Sequence, residues 1–194
     1  MATHQVMLCF VRSDSSILQE SWLNRAASWL AGGTEDNPPY IHAELLFVPP
    51  EGLHNTEEVS GQACSIVYNG TVHLHRKRFS RSEWFFRSMN VTKKQYDDMY
   101  KFCKAHIGEP FNKLGYFLAW TPILAPRPSF YTWFGMSHRW YCSEIVVAAL
   151  KAGQVIGDNY PSTVHPNTLY HDMKDKTMVD CGRNVNAVTI SFGC

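Results

Sequence analysis

The sequence predicts a single domain of the α+β class, and three observations predict it. Runs rich in β-forming residues recur at 5–11, 41–48, 63–68, 71–76 and 84–91, bounded by turn-forming residues. Longer stretches with apolar residues at helical spacing lie at 17–30, 96–108 and 141–150. No internal repeat, low-complexity tract or linker divides the 194 residues. One core at this length buries roughly 70% of the unfolded surface, so the chain needs no staples to fold. Composition agrees: with 45% hydrophobic and 13% aromatic residues, a disordered chain is excluded. Lys plus Arg number 18 against 17 Asp plus Glu, for a net charge of +1, which excludes a protein built to coat nucleic acid or anionic membrane.

Taken in order, residues 5–11 (QVMLCFV) read as a short buried strand. N-cap candidates at 13–16 precede a helix over 17–30, with Leu18, Trp22, Ala26, Trp29 and Leu30 on one face and Gly32-Gly33 as its stop. Residues 34–39 form a polar loop, and 41–48 (IHAELLFV) the next strand, ended by Pro49-Pro50. Asn69-Gly70 between two β-rich runs predicts a two-residue type I′ hairpin, because both central residues there must accept positive φ. A strand at 84–91 leads to Thr92 and Gln95, a capping box for a helix ending near Gly108. A shorter helix is expected at 113–120, and the three prolines of 121–131 make that segment a loop. Helix 141–150 ends at Gly153, Pro166 opens a short helix to Met173, and the tail supplies strands at 178–181 and 187–192.

The six cysteines, at 9, 64, 103, 142, 181 and 194, contain no CxxC and no close pair, which argues against a zinc ribbon or a thioredoxin-type motif. Residues 1–10 lack the basic flank and unbroken apolar run of a signal peptide. No apolar stretch approaches the ~20 residues of a membrane span. The expected setting is intracellular, cytoplasmic and reducing, with free thiols.

Chemistry concentrates at residues 140–153 (WYCSEIVVAALKAG). Positions 142, 145, 146, 149 and 150 form one apolar stripe, so Cys142 stands at the helix start and faces the body of the protein. Free N–H groups and the positive end of the helix dipole favour a thiolate at such a place, and the same N–H groups suit an oxyanion. A small buried hydrophobe is the competing reading of Cys142. Of nine histidines, His42 is the best base: it opens the 41–48 strand with Glu44 two residues on, and i and i+2 share a strand face. A half-exposed strand with both residues in water is the plainer alternative.

His42-Ala-Glu-Leu-Leu-Phe on an early strand, then a hairpin, then Trp-Tyr-Cys142-Ser-Glu before an apolar helix, resembles the permuted papain-like cysteine hydrolases. The likeness is to the NlpC-related YiiX/YaeF-like branch, with relatives in bacteria and large DNA viruses, and runs over residues 41–167. It implies a circularly permuted papain-like fold: an antiparallel sheet or partial barrel packed against the helix that carries the nucleophile. As domain layout it implies one catalytic domain over 1–194, with an N-terminal strand and helix in 1–40, a papain-like core in 41–180 and an active-site loop in 121–140. It further implies Cys142 as nucleophile and His42 as general base, acting on an amide or ester through an acyl-enzyme. The third residue of such a triad usually lies on the strand after the His strand. Here that strand, 63–68, offers Ser65 and no carboxylate, whereas Glu44 has charge and the same face as His42. Tyr141 and Ser143 flank the nucleophile as oxyanion or pocket residues. Glu144 reads as a charged partner of the helix dipole.

His73 and His75 share a strand face, but no third ligand is evident, so neither metal nor another cofactor is expected. The basic run 73–81 (HLHRKRFSR) reads as a solvated edge carrying protective charges. The partner expected is a peptide, protein or acyl-lipid substrate with an apolar portion, gripped by the aromatic loop. Specific nucleic-acid binding is not expected. The competing functions are a catalytically silent protein-binding module on the same fold and a lipid or acyl transferase.

Overall fold

The computed structural model describes residues 4–15, 38–49, 57–118, 128–174 and 179–180. The helix expected at 17–30, most of the loop after it and the strand at 187–192 lie outside these residues. Five strands carry the fold: β1 His4–Arg12, β2 Tyr40–Val48, β3 Glu58–Ser65, β4 His73–Ser80 and β5 Trp84–Val91. The two-residue β6, Val179–Asp180, adds a short outer strand. The helices are α1 Lys93–Ala105, α2 Lys113–Leu118, α3 Cys142–Ala152 and α4 Pro166–Asp172, with a 3-10 helix at Pro128–Phe134. The class is α+β, as expected. Among the described residues no helix is long and apolar enough to cross a membrane.

The sheet order is β4-β3-β2-β1-β5-β6, with antiparallel pairing throughout. The first strand thus lies between β2 and β5, inside the sheet, and the core begins at residue 4 rather than at 41. This order forces the sheet to curl. Laid flat, β4 and β5 would stand about 19 Å apart at ordinary strand spacing. Residues 81–83 alone join them, and four extended Cα steps from Ser80 to Trp84 reach only about 14 Å. The two strands accordingly approach across the inside of the curl, where the Phe79 and Trp84 rings meet at 4.8 Å.

Alternation along the strands then makes two cores. On the inner face, Met7, Cys9, Val11, Leu46, Val48, Phe79, Trp84 and Phe86 pack together. On the outer face, Leu8, Phe10, Ala43, Leu45 and Phe47 pack with α1, α3 and α4 through Met99, Cys103, Ile145, Val146 and Leu169. His42 and Glu44 follow the parity of Leu46 and Val48, so they belong to the inner face.

Local signals behave unevenly. The capping box of α1 is present: Thr92 Oγ1 accepts from Gln95 N–H, and Gln95 Oε1 accepts from Thr92 N–H. The type I′ hairpin is not. Asn69 has φ 61° but Gly70 does not share the left-handed region, and the strands pair only from Ser65–His73 outward. Tertiary pairing wins here: Phe111 N–H donates to Gly70 O, Val72 N–H to Glu109 O, and Gly108 N–H to Val72 O. The 66–72 connection turns one residue early, with Gly70 N–H donating to Val67 O, and is zipped to the 108–111 segment. β3 also begins earlier than the sequence suggests, because Gly61 breaks its apolar pattern. That glycine is required by proximity: a Cβ there would lie 2.3 Å from the Phe47 carbonyl oxygen. Gly153 likewise serves close packing of α3 on α1, since its Cβ would meet Met99 Cγ at 2.5 Å, while Gln154 takes the positive φ of the helix end.

Candidate active site

The first half of β2 is where the sheet leaves room. β3 pairs with β2 only through Leu45, Leu46 and Phe47, then departs at Ser65. Beside His42 and Glu44, on that side of β2, the ladder has no further partner among the described residues. α3 packs against β2 and brings Cys142, its first residue, near enough to His42 for the thiol to help raise the imidazole's pKa. His42 Nε2 stands 3.0 Å from Glu44 Oε1, which leaves Nδ1 for the thiol. Glu44 Oε1 also accepts from Lys77 Nζ at 2.7 Å. Cys142, His42 and Glu44 are therefore brought together, in the order thiol, imidazole, carboxylate, lysine.

The electrostatics follow from this order. Burial disfavours the imidazolium of His42, but hydrogen bonds to Cys142 and Glu44 and their negative charge outweigh it, raising its pKa from 6.5 to about 9. For Glu44, burial opposes ionisation, yet the His42 hydrogen bond and the charges of His42 and Lys77 lower its pKa from 4.5 to about 2. Only 1% of the Glu44 side chain is exposed, so these charges act with little screening by solvent.

Lys77 is the participant the sequence reading missed. A signal existed: Lys77 lies two residues before the apolar Phe79, and so on the inward face of β4. Its ammonium also lies 4.5 Å from the Trp84 ring centroid. The rest of the basic run behaves as expected, with Arg76 and Arg78 exposed on an edge strand.

The other expected residues are placed differently. Ser65 is buried and paired with His73 in the β3–β4 ladder, while it is Glu44 that accepts a hydrogen bond from His42. The Ser143 hydroxyl is buried and donates to the Val164 carbonyl, so it supplies no oxyanion donor; only its backbone N–H faces the helix start. Glu144 keeps the helix-start place expected of it. It caps the helix by accepting from Tyr141 N–H at 3.1 Å, while burial pushes its carboxyl pKa well above the usual carboxylate range. Asn112, also missed, joins this cap. Its Oδ1 accepts from Gly115 N–H as the N-cap of α2 and from the Tyr131 hydroxyl, while its Nδ2 donates to Glu144 at 3.4 Å. The described part of the aromatic loop is thereby tied to the start of α3.

Tyr141 is fully buried, and its hydroxyl has no hydrogen-bond partner among the described residues. An unsatisfied buried hydroxyl costs about 1–3 kcal/mol. Tyr141→Phe is therefore expected to raise stability by about 1–2 kcal/mol in urea unfolding, within that penalty. Loss of turnover in the same variant would identify the hydroxyl as a donor to the reacting group; unchanged turnover would make Tyr141 a packing residue only.

Cys142 itself is 2% exposed. Burial pushes the nearby Tyr116 and Tyr141 phenols up. The arrangement is a thiol–imidazole–carboxylate set at a helix N-terminus beneath aromatic cover. Comparison with family models, curated proteins and solved structures finds no match to the chain.

Proposed function

We propose that the chain is a cysteine hydrolase on a circularly permuted papain-like fold, cleaving an amide, ester or thioester through an acyl-enzyme on Cys142. The observation that carries this reading is the imidazole of His42 held between the Cys142 thiol and the buried Glu44 carboxylate. Chain order supports the fold assignment, since the His strand precedes the Cys helix. An imidazolium that persists to about pH 9 favours a thiolate beside it. The thiolate attacks the carbonyl carbon, forming the S–C bond. His42 gives its proton to the departing amine, alcohol or thiol as the original bond breaks. Neutral His42 then takes a proton from water, whose oxygen displaces the thiolate and releases the acid.

The described aromatic loop suits an apolar substrate, with Trp133 83% and Phe134 65% exposed. A catalytically silent binding module is favoured by one fact, the 2% exposure of Cys142. Acid-quenched incubation with a long-chain acyl thioester, and separately with a peptidyl thioester, distinguishes the readings. An acyl mass is expected on Cys142 from one of the two, and none in Cys142→Ala. Absence of adduct and of product with both donors would overturn the hydrolase reading.

A further inference from the structure

Residues well outside the thiol–imidazole pair form a second constellation. α1 ends at His106, and Gly108, at φ 88°, turns the chain so that Glu109 faces back toward it. His106 Nδ1 lies 2.8 Å from Glu109 Oε2, and His138 Nδ1 lies 3.8 Å from Glu109 Oε1. One donor atom from each of the three residues lies within 4.8 Å of the others. The Trp140 indole N–H donates to Glu109 Oε2, orienting the carboxylate from behind.

We propose that His106, Glu109 and His138 bind one first-row divalent metal ion of the zinc class. The ligand set argues for the class: two imidazoles and a carboxylate suit Zn²⁺, whereas Ca²⁺ and Mg²⁺ take oxygen ligands. The spacing argues for one shared ion. Bonds of about 2.0–2.2 Å at tetrahedral angles set donors about 3.3 Å apart; one donor atom from each residue already lies within 4.8 Å of the others, with His106 beside Glu109 Oε2 and His138 beside Glu109 Oε1, so a small contraction closes the set on an ion. Exposure argues for access, with side chains of His106, Glu109 and His138 at 17%, 22% and 36%. Water takes the fourth position. This set differs from the His73–His75 pair weighed in the sequence, and its members become neighbours only through the fold.

The ion has a defined mechanical role. Trp140 N–H donates to Pro110 O, and Asn112 N–H donates to Trp140 O, so the 138–140 strap lies along 110–112. An ion on His106, Glu109 and His138 ties the end of α1 to this strap, which enters α3 two residues later at Cys142. The site stabilises the approach to the nucleophile, whether or not that nucleophile turns over substrate.

The test uses chelator-treated full chain in a Cys142→Ser background, titrated with Zn²⁺ by calorimetry and with Co²⁺ by visible absorption. One ion per chain is expected, with tetrahedral-type Co²⁺ bands, no sulfur charge transfer, and an unfolding temperature that climbs with the logarithm of free Zn²⁺. His138→Ala, at a part-exposed position that leaves the fold intact, should weaken binding at least about 100-fold, the upper end of the cost of losing an outer-shell partner. Glu109→Gln should do the same, and the His73→Ala/His75→Ala double variant should bind as the parent does. No binding by the parent, undiminished binding in His138→Ala, or sulfur charge transfer would each overturn the proposal, the first leaving the cluster a hydrogen-bonded latch only.

Discussion

His42→Ala is expected to slow alkylation of Cys142 by iodoacetamide about 10²–10³-fold at pH 7, the scale of losing a positioned proton-transfer partner. His42 carries a proton up to about pH 9 because Cys142 and Glu44 hold it against the cost of burial. In the proposed mechanism that cation faces the attacking sulfur, and alanine removes it while leaving the helix start intact. Peptide mapping keeps the readout specific, since it separates Cys142 from Cys9, Cys64 and Cys103, which are free thiols as well. Turnover of any acyl substrate should fall further than labelling does, because in the proposed mechanism His42 serves both half-reactions. Equal labelling of Cys142 in parent and variant, with native circular dichroism in both, would remove His42 from the chemistry.

The parts of this site that were legible in the sequence are those fixed by period. Strand alternation put His42 and Glu44 on one face, and the helical stripe put Cys142 at the inward start of α3. Strand and helix existence followed from the same rule, and the capping box fixed the start of α1 from two residues. What periodicity does not encode is which strands become neighbours. The curl of the sheet brings β4 and β5 together on the inner face, and hence Lys77 to Glu44, although 33 positions separate those two residues. The early parting of β3 from β2 removes Ser65 from consideration, and that parting is a matter of register. The Asn69-Gly70 signal failed for the same reason: bonds to residues 108–111 outcompeted the local turn. For Glu144 the burial that pushes its carboxyl pKa upward is a tertiary property that a single sequence does not show.

Glu44→Gln tests the buried end of the array, and its effect depends on pH in a definite way. Folding lowers the Glu44 pKa from 4.5 to about 2, so its contribution is present above pH 4.5 and is lost as pH falls through 2. Folding raises the His42 pKa from 6.5 to about 9, so that contribution is full below pH 6.5 and is lost as pH rises through 9. The two shifts share the His42–Glu44 contact, with Cys142 adding to the first and Lys77 to the second, so the shared stabilisation is taken once, at most about 3 kcal/mol. The parent should therefore exceed Glu44→Gln in urea-unfolding free energy by about that amount between pH 4.5 and 6.5. The gap should close toward pH 2 on one side and shrink toward pH 9 on the other. Lys77 loses its partner in the variant but remains 28% exposed, so water recovers part of that cost. A difference that stays constant from pH 3 to 10 would mean that Glu44 acts through shape alone. Because the carboxylate reaches Cys142 only through the ring between them, Glu44 is a positioning residue. The pH at which His42 loses its proton, read from its ring resonances, should fall in Glu44→Gln, an effect that altered packing without lost charge would not produce.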